Sequence, residues 1–286
     1  MAEIAASVVM KLRKMSGQGM MDCKKALVET GGDIEEAMAL LRKKGLATLA
    51  KRAGRETTEG RLVCKKDAEG KTAAMATLCC ETDFVAKSDD FIAAADALGE
   101  YMLACDSDEG AEGIVETAVD GRKFSEVLTE AVSKTGEKIE VGDFTKYSVP
   151  DAGVIGTYVH FNNKVGAMVQ LEADTGEVAK SLSSVASDIA MHITAIKPVA
   201  VDSDSIDPAI IEREKEIAAE QMKNKPANII DKIVEGKMKK FFKENCLVEQ
   251  PFVKDDSKTV AEVLAGAAKQ AGGEAKIKKF IRFEIG

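Results

Sequence analysis

The chain has 286 residues, 45% apolar and 31% charged, with a net charge of −8. That balance is what two or three packed domains need, and it excludes a disordered chain. Net negative charge argues against a general nucleic-acid binder, and no apolar run nears the roughly 20 residues of a membrane span.

The charge is uneven. Residues 1–55 hold 11 Lys/Arg against 6 Asp/Glu, net +5, which leaves −13 on the remainder. Ile4, Val8, Val9 and Leu12 recur at helical spacing, and Gly17-Gln18-Gly19 ends that first helix. A second begins at Met20-Met21 and closes at Gly31-Gly32; Asp33 caps a third, with Ile34, Ala37, Leu40 and Leu41 on one face. The spacing is similar to that of ubiquitin-associated domains. Residues 1–55 are therefore expected to be a three-helix docking module, with 45–60 as a linker. Its basic cluster (Arg42, Lys43, Lys44, Lys51, Arg52) suits either a solvated face or an acidic partner. Met20 and Met21 suit either a core or an adaptable partner surface.

Residues 61–66 and 72–80 predict a hairpin, and 89–105 a helix capped by Ser88. Between them a tight loop carries Thr82, Asp83, Phe84 and Val85. A large aromatic on a loop is either a contact residue or tucked core, and the stretch itself leaves both open. Gly70-Lys71-Thr72 imitates the end of a phosphate loop, but Lys65 stands where the first glycine is required. A helix is expected over about 124–135. A strand follows through Ile139, Val141, Phe144 and Tyr147, with a bulge near Gly142.

Hairpin and helix then recur: 154–160 and 165–171 pair, and 176–197 reads as one helix ended by Pro198. The recurrence predicts two related α+β subdomains with antiparallel sheets, spanning 56–145 and 146–286. A charged helical hairpin at about 200–226 interrupts the second. Its stripe of Ile210, Ile211 and Ile217 needs an apolar cover, either the following helix (Ile229, Ile230, Ile233) or a second copy in a homodimer. A helix through Val260, Val263 and Leu264 and an alternating strand (Ile277, Ile281, Phe283, Ile285) complete the chain.

The six cysteines show no CxxC pair or framework spacing, so free thiols in a cytoplasmic protein are expected. Of the two histidines, His192 lies on an apolar stripe and reads as structural, while His160 ends a strand beside a turn. No motif for a nucleophile, a metal or a cofactor is present, so no enzyme is expected.

Two motifs carry a resemblance. The run Leu12-Arg13 through Ser16-Gly17-Gln18-Gly19-Met20-Met21-Asp22-Cys23-Lys24-Lys25-Ala26-Leu27, and then Glu81-Thr82-Asp83-Phe84-Val85-Ala86-Lys87, resemble the two signatures of bacterial elongation factor Ts. Segments 188–193, 235–238, 249–253 and 280–284 are similar to the same family. Ser16 departs from the family's usual Thr but keeps the hydroxyl. The resemblance implies an exchange factor that binds elongation factor Tu, GDP-bound and nucleotide-free, and promotes GDP release during translation elongation. It implies no direct nucleic-acid contact. Asp83 and Phe84 would be the wedge near the Mg²⁺ and phosphate site, with Thr82 and Val85 beside them. Arg13, Met20 and Met21 would meet the partner's nucleotide domain, and His160 and Val253 another of its domains. The competing reading is a ubiquitin- or peptide-binding adaptor built on the first module.

Overall fold

The computed structural model describes residues 4–220 and 227–286. It is an α+β protein of two compact units, one formed by residues 1–65, 74–146 and 283–286, the other by 66–73 and 147–282.

In the first unit, α1 (Ala6–Ser16), α2 (Met20–Glu29) and α3 (Ile34–Arg52) close around Val9, Leu12, Cys23, Ala26, Leu27, Ala37 and Leu41. The Asp33 carboxylate accepts from the Glu36 amide, filling one of the orphan donors at the start of α3. The third helix continues to Arg52, so much of the expected linker is helical. Its continuation packs along α7 (Phe124–Thr135). Gly45 makes that approach close: a Cβ there would lie 2.8 Å from the Thr129 carbonyl oxygen.

β1 (Glu59–Lys66), β2 (Thr72–Cys80) and β5 (Ile139–Ser148) form a sheet in the order β1-β2-β5. Burial along β5 shifts phase at Gly142–Asp143, where two successive residues are exposed. There the Asp143 amide donates to the Thr77 hydroxyl at 2.9 Å. One face of the sheet is covered by α5 (Asp89–Ala104) and α7, whose Phe91, Leu98, Met102, Phe124 and Val132 are buried with Leu78 and Ile139. A short helix, α6 (Ala111–Glu116), and the two-residue antiparallel strands β3 (Ala118–Val119) and β4 (Arg122–Lys123) carry too little periodicity to be foreseen.

In the second unit β6 (Gly153–Val159) pairs antiparallel with β7 (Val165–Ala173), and β10 (Ala275–Glu284) completes the order β10-β7-β6. The helix expected over 176–197 is two helices, α8 (Gly176–Ser181) and α9 (Ser183–Ile196), broken at the buried Leu182. At the break the Ser183 hydroxyl donates to the Lys180 carbonyl, an alternative to the regular ladder. In β10 the expected inward residues Ile277, Phe283 and Ile285 are buried and Ile281 is half-buried, while the half-buried Phe280, of the opposite parity, also packs against the core. The antiparallel pair β8 (Pro251–Phe252) and β9 (Asp255–Thr259) leads into α12 (Val260–Gln270), opened by a reciprocal capping box between Thr259 and Glu262.

The charged hairpin consists of α10 (Pro208–Glu220) and α11 (Ala227–Asn245), which pack on each other. Ile211 joins Phe241 and Phe242 over Ala200, Ile206 and Cys246, while Ile210 and Ile217 stay exposed. Residues 221–226, and the side chains of Ile229 and Ile230, lie outside the described residues.

The two strand-pair-and-helix units share one detail. After β2, Thr82 caps a four-residue helix and its Oγ1 accepts from the Val85 amide; after β7, Thr175 caps α8 and its Oγ1 accepts from the Val178 amide. Aligned on these caps, Asp83-Phe84 corresponds to Gly176-Glu177.

Close packing in the second unit gives a sharp test. A Cβ on Gly156 of β6 would lie 2.1 Å from the backbone oxygen of Ala186 in α9. No rotamer change relieves a clash with backbone, so Gly156→Ala should cost about 3 kcal/mol or more, read as a lowered Tm and denaturant midpoint.

Candidate partner-binding site

The expected loop at 82–88 is one helical turn, α4 (Asp83–Ala86). A four-residue helix has no period to detect; only its capping threonine announces it. The turn is fixed from both ends. Two carboxylates hold its entrance: Glu137 accepts from the Thr82 amide at 3.0 Å and from its hydroxyl at 2.7 Å. Glu81 takes the Arg52 guanidinium at 2.7 and 2.8 Å and the Lys138 amide at 2.8 Å. Ser88 closes the exit by donating to the Val85 carbonyl and accepting from the Phe91 amide. Ala86 is buried, and Val85 packs against the core cluster.

Phe84 is the one large side chain of this turn that the core does not take up: it is 82% exposed. That excludes the tucked-core reading of Phe84. Its neighbour Asp83 pairs with Lys87 one turn later at 2.8 Å, an interaction that raises the Lys87 pKa. An exposed i,i+4 pair of this kind contributes little to stability, so it leaves the carboxylate cheap to redirect.

Arg13, Met20 and Met21 are also exposed, on α1 and α2. Between them Ser16 is buried, with its hydroxyl accepting from the Gln18 amide at 3.2 Å and lying 3.5 Å from the Cys23 sulfur. The hydroxyl thus shapes the turn that precedes Met20. Lys134 lies against Gly17 at this corner and pairs with Glu130 at 3.0 Å and Asp90 at 3.1 Å. Burial alone would lower the Lys134 pKa, but these two carboxylates outweigh it and raise it.

The remaining candidates belong to the second unit. His160 follows β6, and its Nδ1 is 3.2 Å from the Tyr158 hydroxyl. Its ring lies 4.3 Å from that of Phe161, which is 87% exposed. Sequence reasoning passed over Phe161 as a turn residue; its signal was a large aromatic in a polar turn. The turn is internally bonded, with Asn163 at a φ of 54° donating from its amide to the His160 carbonyl. Val253, between β8 and β9, is 43% exposed. Its amide donates to Nδ1 of the buried His192 at 3.1 Å, which places that ring's proton on Nε2, toward Gln250 Oε1 at 2.9 Å. Burial lowers the His192 pKa, opposed by the Gln250 bond, so the ring is neutral and structural.

Burial pushes Cys80 up to about 12 and Cys246 up to about 11. Among the described residues no His, Cys, Asp or Glu cluster could hold a metal, and no helix is long and apolar enough to cross a membrane.

The clamp has a pH signature. The Lys138 amide holds the Glu81 carboxyl below its ordinary value of 4.5, burial opposes this, and the Arg52 guanidinium adds to it. A lowered carboxylate pKa contributes stability above the unfolded value that is lost as pH falls through the folded one. Glu81→Gln should therefore melt below the parent at pH 7. The gap should close on acidification below 4.5, as Glu81 itself takes up a proton. A gap independent of pH would mean that the Glu81 charge is not what the clamp uses.

Comparison with known proteins bears on what this arrangement serves. The family described as Elongation factor TS matches residues 81–286. Elongation factor Ts of a Nitratiruptor species is 44% identical over 285 residues, covering 99% of this chain and 93% of the relative. The protein of the same name from Nautilia profundicola is 42% identical over 291 residues, covering 100% and 94%. That from Desulfovibrio desulfuricans is 40% identical over 290 residues, covering 100% and 99%. The chain belongs to the elongation factor Ts family of translation elongation factors.

Proposed function

We propose that this protein is the guanine-nucleotide exchange factor for elongation factor Tu, releasing GDP by binding the nucleotide-free partner more tightly than the GDP-bound one. Such a protein breaks no bond and needs no catalytic group or cofactor. Reciprocity supplies the mechanism: a factor that weakens GDP by a given ratio is itself weakened by GDP in the same ratio. GDP in such a partner is held by Mg²⁺ and a nest of backbone amides around its phosphates. A rigid side chain pressed into the neighbouring helix shifts those amides and the supports of the metal.

Phe84 is the wedge in this reading, and the observation that carries it is an 82% exposed aromatic on a turn locked at both ends. Pre-ordering matters because the ordering cost is already met in the free protein, so contact energy is left for distorting the partner. Asp83 supplies a carboxylate that exchanges its Lys87 pair for donors on the partner, while Thr82 and Val85 set the turn that aims both. Arg13, Met20 and Met21 form the dock on the nucleotide domain. His160 and Val253 form a second contact on another domain, and we add Phe161 to it on account of its exposure beside His160.

Phe84→Ala should slow GDP release from elongation factor Tu at least tenfold, because buried aromatic anchors are worth about 2 kcal/mol or more. Its Tm should stay close to the parent's, since the ring leaves water only in the complex. A large fall in Tm with unaltered exchange would return Phe84 to a structural role. Phe161→Ala should weaken association about fivefold, on the ~1 kcal/mol scale of an interface aromatic. The rate of GDP release at saturating factor should hardly change, because the second contact holds the partner and does not distort its nucleotide site.

A further inference from the structure

The protein carries six cysteines and 12 methionines, and their surroundings differ sharply. Cys23, Cys80, Cys105 and Cys246 are buried, and Cys64 and Cys79 are half-buried. Burial raises the pKa of Cys79, Cys80 and Cys246, so little of the reactive thiolate form exists there at neutral pH. Met75, Met102 and Met168 are fully buried and Met238 nearly so. Four thioethers stand apart. Met10, Met15, Met20 and Met21 are 62%, 54%, 42% and 62% exposed, and they fall within twelve consecutive residues of α1, α2 and the turn between them.

Met10 shares a face of α1 with Arg13 and Lys14 by helical spacing, and Met20 and Met21 open α2. Their exposure is not a gap in the module's own packing, because Val9, Leu12, Cys23, Ala26 and Leu27 already fill its core. These four thioethers are the exposed sulfurs among the described residues, and Met20 and Met21 belong to the surface assigned above to docking.

We propose that this methionine cluster, Met20 and Met21 above all, is an oxidative modification site at which a peroxide converts thioether to sulfoxide and weakens docking of elongation factor Tu. The effect on docking rests on the exchange reading given above. In the reaction the methionine sulfur attacks one oxygen of hydrogen peroxide. The O–O bond breaks, a sulfur–oxygen bond forms, and the other oxygen leaves as water. Sulfur gives up two electrons and the peroxide accepts them. The product replaces a flexible apolar group by a polar, strongly accepting one, which a dry interface has to desolvate. The fold is spared, because all four side chains already face water. The change is reversed by methionine sulfoxide reductases, so the site can act as a switch.

The test oxidises this protein alone with hydrogen peroxide, removes the excess with catalase, and only then adds elongation factor Tu loaded with labelled GDP. Peptide mass mapping should find sulfoxide at Met10, Met15, Met20 and Met21 well before Met75, Met102 and Met168, with circular dichroism and Tm unchanged. GDP release should slow about tenfold and recover after treatment with the reductase. In the Met20→Leu, Met21→Leu double variant, the ratio of oxidised to unreacted rate should be near one, whatever the variant's starting rate. Equal reaction of exposed and buried methionines would overturn the site. Full oxidation that changes GDP release less than twofold, or an equal fractional loss in the double variant, would overturn the switch. Failure of the unreacted protein to release GDP would instead refute the exchange reading, and the mapping would still decide the modification site.

Discussion

The structure depends on a pair of carboxylates at the junction of β2 and α4. Glu81 ties that junction to α3 through Arg52 and to the entrance of β5 through the amide of Lys138 just before it, and Glu137 takes both donors of Thr82. These are charge-assisted bonds to backbone and to a guanidinium, roughly twice as strong as neutral ones. Without them a four-residue helix has no means of persisting, since a single turn fixes several dihedral angles for one or two ladder bonds. With them Val85 and Ala86 are drawn onto the core and Phe84 is left pointing at water. Leaving that ring exposed forgoes about 1.5–3 kcal/mol of burial, a cost the fold sustains and the proposed complex recovers.

The same device occurs twice in the chain. Thr82 and Thr175 each end a strand and cap a short helix leading into a long one. In the second unit the aligned positions are Gly176 and Glu177, which a solvated turn accommodates at no cost. A connection that serves only to pass the chain from sheet to helix thus exists beside one bearing Asp83 and Phe84. The contrast supports reading the exposed phenylalanine as a specialisation of the first unit, because the turn itself does not require one.

Long periodic segments were legible from the residues. The stripes of α1, α5 and α7, the β6–β7 hairpin and the structural role of His192 follow from spacing and composition alone. What sequence reading missed has local causes. At the break by Leu182 the Ser183 hydroxyl takes the Lys180 carbonyl, a local polar choice that an apolar count passes over. In β10 the buried Ile277, Phe283 and Ile285 keep the expected parity, but Phe280 of the opposite parity also packs against the core, which strict alternation does not foresee. For the site, the motif picked out Asp83 and Phe84, but the distant acids that fix them, Glu81 with Arg52 and Glu137 with Thr82, are tertiary facts. Phe161 was hidden for the opposite reason: a turn of Asn and Lys reads as solvent, and only its exposure beside His160 marks it.

On the exchange reading proposed above, Glu137 acts by aiming Phe84 and makes no contact of its own. A double-mutant cycle separates that role from an independent one. GDP release from elongation factor Tu would be measured with the parent, Glu137→Gln, Phe84→Ala and the combined variant, each shown to be folded. If the clamp works through the ring, Glu137→Gln slows release in the parent background and changes nothing once Phe84 is gone. Losses that multiply in the combined variant would contradict the account, since the carboxylate would then be doing something other than holding the wedge.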